Sequence, residues 1–162
     1  MEFKTLKPIF KHLFNFLALT SLSFTAAANV ILVDGHVRAM PASVPNTAAY
    51  LTLENHGDKA VNLVAVKTAI AKEAQLHTII EENGMVKMRQ VEGLAIASHG
   101  ALSLKPSGDH IMILGLNKPL AENDKVVLTL IFDTEQQLQV ELPVLKQAGS
   151  EHQDNSEHHH HH

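Results

Sequence analysis

The sequence predicts an all-β domain, a two-sheet sandwich or a barrel, followed by a disordered histidine-rich tail. Three observations predict this. Short strand-like runs recur at close spacing. Clusters of Gly, Asn, Asp and Pro separate them. No apolar run is long enough for an organising helix, since Ala69–Ala74 offers at most one helical turn.

The elements follow in order. Lys4, Lys7 and Lys11 form a positive start, Leu13–Phe24 a short apolar run, and Ala26–Ala28 a small-x-small cleavage signal. Residues 1–28 therefore read as a signal peptide cleaved after about Ala28. The run is interrupted by Asn15, Thr20 and Ser21, too polar and too short for a membrane span of ~20 apolar residues. No cysteine follows it, so a lipoprotein is not expected. The mature chain is expected to be exported to a periplasm without stable membrane insertion.

Residues 29–146 form the expected domain. Asn29–Val33 and Gly35–Arg38 read as strand pieces about an Asp34-Gly35 turn, and Pro41 and Pro45 punctuate a loop. Ala48–Glu54 and Ala60–Val66 read as strands about a turn at Asn55–Asp58. Gln75–Glu81 and Met85–Val91 flank Asn83-Gly84, the strongest short hairpin signal, because both loop residues must take φ > 0. Gly93–Ile96 and Ala101–Leu104 flank a turn at Ser98–Gly100. His110–Leu116 follows a Pro106–Asp109 loop, and Lys125–Phe132 and Gln137–Val144 flank a turn at Asp133–Gln136. Beyond Val144 the apolar pattern stops. Residues 147–162 read as a flexible tail holding His152, His158, His159, His160, His161 and His162, half of the chain's 12 histidines. The signal peptide at the other end, and five terminal histidines rather than six, favour a natural tail over an affinity tag.

Composition narrows the function. Without the signal the chain carries 10 basic and 16 acidic residues. That balance lacks the basic footprint nucleic acid requires. The absence of cysteine removes disulfides and thiolate chemistry. In an oxidising compartment, His and Met ligands have the advantage that they cannot pair into disulfides. There is no phosphate-binding glycine loop and no defensible Ser-His-Asp spacing, so an enzyme is not expected.

One stretch carries chemistry. His77, Met88, His110 and Met112 are spaced His-x10-Met-x21-His-x-Met. Imidazole with thioether is a soft, neutral ligand set that favours Cu(I) over hard cations. The two-residue Asn83-Gly84 loop places Glu82 opposite Met85 and Ile79 opposite Met88. His77 shares a face with Ile79 and becomes a diagonal neighbour of Met88, roughly 7–8 Å away at the backbone. Met85 has the opposite parity, and so does Arg89. His110 and Met112 share a face of another strand. A lone Met is more often core filler and a lone His more often a surface residue. The joint pattern is more specific: apart from Met1 and Met40, every Met falls in this stretch. His36, His56 and His99 read as exposed turn histidines, and Met40 as packing.

The spacing matches without a gap the signature of the periplasmic copper chaperones of the PCu(A)C type. Asn46–Asn55 (NTAAYLTLEN), Gly84–Arg89 (GMVKMR), Leu104–Met112 (LKPSGDHIM) and Gly115–Leu120 (GLNKPL) also resemble that family, which is similar over about Val30–Val144. Gln75 stands where the family often has an acidic residue, and Ser107 where it often has glycine. The resemblance implies a Greek-key β-sandwich of cupredoxin-like shape with Cu(I) on His77, Met88, His110 and Met112. It also implies delivery of copper towards the copper subunit of cytochrome c oxidase, together with Sco-type proteins. The tail histidines suit a second, Cu(II) site. The main alternative is a periplasmic copper or zinc sequestration protein that uses this tail. A third reading is an interaction module whose Met and His are core.

Overall fold

Period-two alternation shapes most of this structure. In Lys125–Phe132 the side chains of Val126, Leu128, Leu130 and Phe132 are buried while the alternate residues point away. The computed structural model describes residues 29–146. The expected signal peptide (1–28) and tail (147–162, with His152 and His158–His162) lie outside the described residues.

The described chain forms ten strands, with no helix among the described residues. They are β1 Val30–Arg38, β2 Thr47–Asn55, β3 Val61–Lys67, β4 Ala71–Glu82 and β5 Met85–Gln90, then β6 Leu94–Ile96, β7 Ala101–Ser103, β8 His110–Leu116, β9 Lys125–Phe132 and β10 Gln137–Leu145. One ladder runs β5-β4-β8-β2-β1, with β7 also paired to β2; another runs β10-β9-β3-β6. A short parallel pairing of β1 with β10, at Val37–Val144 and Arg38–Leu145, joins them into one mixed sheet. All other pairings are antiparallel. The sheet is open, ending at β5 and β6, so it is not a closed barrel. Its two halves contribute to a single apolar cluster that includes Leu51, Leu53, Leu76, Ile111 and Ile113 from one ladder and Leu63, Leu128, Leu130, Phe132 and Leu142 from the other. Burying each of these side chains stabilises the fold by about 1.5–3 kcal/mol before chain entropy is charged against it.

One buried polar residue links the two ladders at one end. Asn55 is 1% exposed. Its Nδ2 donates to Lys59 O at 2.8 Å and Ala97 O at 3.1 Å, and its Oδ1 accepts from Gly57 N–H at 2.9 Å. The β2–β3 turn is thereby fastened to the β6–β7 turn.

Four local expectations change. Asp34-Gly35 is not a turn: β1 is continuous, with a register shift between Leu32 and Asp34. Gly35 is needed for close approach instead. A Cβ there would sit 2.7 Å from Leu51 Cβ and 3.0 Å from both Leu142 Cδ2 and Tyr50 O. Ala69–Ala74 contributes no helical turn. Ala71 and Ala74 pair with Leu116 and Ile113 on β8, and this ladder overrides local propensity. The segments flanking Ser98–Gly100 do not pair with one another, because β6 joins β3 and β7 joins β2. His36 lies within β1 rather than in a turn, opposite Tyr50. His56 and His99 are exposed, as expected, and contact Glu54 and Asp58.

Gly35→Ala should lower stability by about 1–3 kcal/mol in urea unfolding, with an unchanged denaturant slope. An unshifted midpoint would mean that Leu51 and Leu142 move aside freely.

Candidate metal centre

The centre is built on the three strands β5, β4 and β8, on the face turned away from the core. Leu76 and Ile111 point inward and are buried; their neighbours His77 and His110 therefore point outward. The Asn83-Gly84 turn sets the first register. Asn83 (φ 55°) and Gly84 (φ 74°) both take the left-handed conformation. Glu82 then pairs with Met85, Ile79 with Met88 and His77 with Gln90, the register the turn predicts. Met85 falls on the opposite face from Met88.

The second register is not local. His77 pairs directly with His110, and their ring centroids lie 5.6 Å apart at an interplanar angle of 57°. An imidazole nitrogen binds a metal at about 2.0–2.1 Å and sits roughly 1 Å from its ring centroid, so two rings sharing one ion have centroids roughly 5–6.5 Å apart. The observed spacing falls in this range. Met112 is two residues beyond His110 on the same face, opposite Gln75, and half-buried. Met88 is on the same face but on the outer strand, and is 61% exposed. The two histidines are thus brought together directly. The two thioethers flank them from opposite corners, one on each neighbour of β4.

Hydrogen bonds assign the ring nitrogens. His110 is 4% exposed, and its Nδ1 lies 2.9 Å from Gly108 O. A carbonyl can only accept, so Nδ1 carries the proton and Nε2 the lone pair. The turn that holds this carbonyl is itself closed by Lys105 N–H to Asp109 O at 2.7 Å and Gly108 N–H to Lys105 O at 3.1 Å. His77 Nε2 lies 3.0 Å from Gln75 Oε1, while its Nδ1 is buried without a partner. Burial, and then the neighbouring His110, hold the His77 pKa below the ordinary histidine value, which favours the neutral, ligating form. Among the described residues no three His, Cys, Asp or Glu side chains converge on a possible metal position. A metal bound at this pair needs ligands of another kind, and Met88 and Met112 supply thioethers on its face.

Some residues of the centre are missed by the spacing alone. Tyr50, the chain's only tyrosine, is buried with its ring 6.5 Å from His110 and 5.4 Å from His36. Glu73 and Gln75 lead up to His77 on the same face of β4. The sequence signal for this was available: Glu73, Gln75 and His77 alternate with period two.

Residues 30–144 match the family described as "Putative lipoprotein LpqE-like". The chain is 32% identical over 105 residues to "Putative lipoprotein Lxx21020" of Leifsonia xyli subsp. xyli, which covers 64% of this chain and 63% of that protein. It is 29% identical over 102 residues to an uncharacterised protein of Rickettsia prowazekii, which covers 62% of this chain and 56% of that one. Both shares of the relatives' length are under two thirds. Among solved structures, the Cu(I) form of DR1885 from Deinococcus radiodurans is 34% identical, with a TM-score of 0.62 over 81% of this chain and 87% of that one. Its apo form is 36% identical, with a TM-score of 0.60 over 76% of this chain and 83% of that one. The copper-bound PCuAC domain of PmoF2 shares the fold at 16% identity, with a TM-score of 0.63 over 75% of this chain and 97% of that one. The chain belongs to the LpqE-like family.

Proposed function

We propose that this protein is an exported copper chaperone that binds one Cu(I) through His77, His110, Met88 and Met112 and passes it to a partner. The observation that carries the reading is the buried, unpartnered Nδ1 of His77 beside the ring of His110. A buried acceptor without a partner is costly, and a metal ion would satisfy it. Two imidazoles and two thioethers leave a Cu(I) site with a net charge of about +1, and a d10 ion accepts the tetrahedral arrangement such ligands allow. The Cu(I)-bound relative, at 34% identity, supports the same metal. In this reading the mixed sheet is the cupredoxin-like Greek-key sandwich of the family. The compartment is the periplasm, and the acceptor is the copper subunit of cytochrome c oxidase, with Sco-type proteins as partners.

The geometry suits transfer by stepwise ligand exchange. Met88 lies on an edge strand and is the most accessible of the four ligands, so an incoming soft ligand displaces it first. Met112 follows, and the buried His110 leaves last. The copper is never free in solution on this route. Sequestration by the histidine tail is the alternative reading, and the experiments separate the two by replacing the histidines at 152 and 158–162 with alanine.

That tail variant of the full chain should hold one Cu(I) in anaerobic chelator competition. Met88→Ala and Met112→Ala should each weaken it at least about tenfold, which is ~1.4 kcal/mol, and Met85→Ala should leave it unchanged. Equal losses at Met85 and Met88 would remove the assigned ligand set, and loss of all binding with the tail histidines would leave sequestration as the function.

Transfer to an apo acceptor should proceed at the same rate with and without a competing chelator in solution. Capture of the moving copper by that chelator would rule out direct exchange.

The lowered His77 pKa also predicts the pH dependence of the apo protein. Below the unfolded value of about 6.5, the unfolded chain binds more protons at this residue than the native chain does. Stability should therefore fall as pH drops through about 6.5 towards the native pKa, and His77→Gln should flatten that part of the profile. Parallel wild-type and variant profiles in urea unfolding would contradict this assignment.

A further inference from the structure

Beside His77 lies a side-chain arm that the ligand set does not use. Gln75 Nε2 donates to Glu73 Oε2 at 2.8 Å. A carboxylate accepts, so this bond fixes which end of the Gln75 amide is nitrogen. Gln75 Oε1 must then face His77, and it lies 3.0 Å from His77 Nε2. An amide oxygen can only accept, so His77 Nε2 carries the proton. A neutral imidazole has one N–H; the lone pair is left on Nδ1, the atom that is buried and unpartnered. His110 is arranged the other way round, with Nδ1–H bonded to Gly108 O and the lone pair on Nε2.

We propose that Gln75, held by Glu73, is a positioning residue that presents Nδ1 of His77 to Cu(I), while His110 presents Nε2. The inference rests on the copper-site reading above and specifies how that site is assembled. The two histidines bind through different nitrogens because each is clamped through the other one. Nδ1 ligation holds the ion nearer the β4 backbone than Nε2 ligation would. The ion therefore lies close to the sheet, between His77 and the more buried His110. Gln75 pairs across the strands with Met112, so one residue of β4 borders both a nitrogen and a sulfur ligand. A neutral amide between Glu73 and His77 passes on orientation but keeps the carboxylate charge away from the ring. His77 is thereby aligned without becoming a strongly basic donor, which suits a metal that has to leave again.

The test uses full-length protein labelled with 15N in histidine, at a pH about one unit above the ordinary histidine value. Long-range 1H–15N spectra report the tautomer of each ring, and comparison with His77→Gln identifies the His77 signals. In the apo protein His77 should be protonated on Nε2 and His110 on Nδ1. Added Cu(I) should shift the Nδ1 signal of His77 and the Nε2 signal of His110. Gln75→Leu should mix the His77 tautomers and weaken Cu(I) about tenfold, the usual scale for loss of such a partner. Gln75→Glu should restore both the tautomer and the affinity, which a purely structural role for Gln75 would not require. A wild-type His77 protonated on Nδ1, or a Gln75→Leu protein with tautomer and affinity intact, would overturn the proposal. If the wild-type protein failed to bind Cu(I) at His77, the copper reading would fall, and the apo spectra would still decide whether Gln75 clamps the ring.

Discussion

The structure depends on the register between β4 and β8. That register pairs His77 with His110 and, one step along, Leu76 with Ile111. Side chains alternate, so the same pairing sends two imidazoles outward and two aliphatic groups into the core. A one-residue slip would exchange them, burying a histidine and exposing a leucine. The apolar cluster behind the sheet therefore enforces the geometry of the site in front of it. Loss of metal affinity and loss of core packing are linked through a shared backbone, and buried Tyr50 reaches the candidate ligands' face beside His110.

The three strands of the site differ in how firmly they are held. β8 lies between β4 and β2, and β4 between β8 and β5, so both are paired on two sides. β5 is paired only to β4, and all six of its residues are exposed. The histidines occupy the fixed strands, and Met88 occupies the edge. In the proposed function, a rigid nitrogen pair with one thioether on an outer hairpin would separate two tasks: the interior strands would define where the ion sits, and the hairpin would admit the partner. The Lys87–Glu82 contact at 2.8 Å joins two exposed side chains across that hairpin and adds little to its stability.

Local chemistry made much of the site legible in the sequence. The Asn83-Gly84 turn fixes its own register because only residues tolerating positive φ fit it, and the position of Met88 opposite Ile79 follows by counting. The shared face of His110 and Met112 follows from period two. The His77–His110 pairing did not follow, because β4 and β8 are separated by β5, β6 and β7, and nothing local sets their alignment. The misreadings have the same origin. Ala69–Ala74 has helix-compatible composition, but β8 supplies its partners. Asp34-Gly35 has turn chemistry, but the glycine is there because Leu51, Leu142 and the Tyr50 carbonyl leave no room for a Cβ. In both cases a contact distant in sequence decided what neighbouring residues left open.

A carrier, the role proposed above, must bind its cargo tightly enough to withhold it from the solvent and loosely enough to release it. Thiolates would bind Cu(I) more strongly, but they would also be exposed to oxidation in an exported protein. The neutral set avoids this and leaves the ion a residual positive charge of about +1. In the proposed transfer, that charge would favour an anionic acceptor ligand over a neutral one. The gradient of exposure from Met88 at 61% to His110 at 4% would then give the proposed transfer a direction in space. Exchange starts where a partner can reach and ends at the ligand held deepest. The His110 ring itself is held by Gly108 O at 2.9 Å. In the proposed site, selectivity for a soft ion would reside in the two methionines, and its retention in the two histidines.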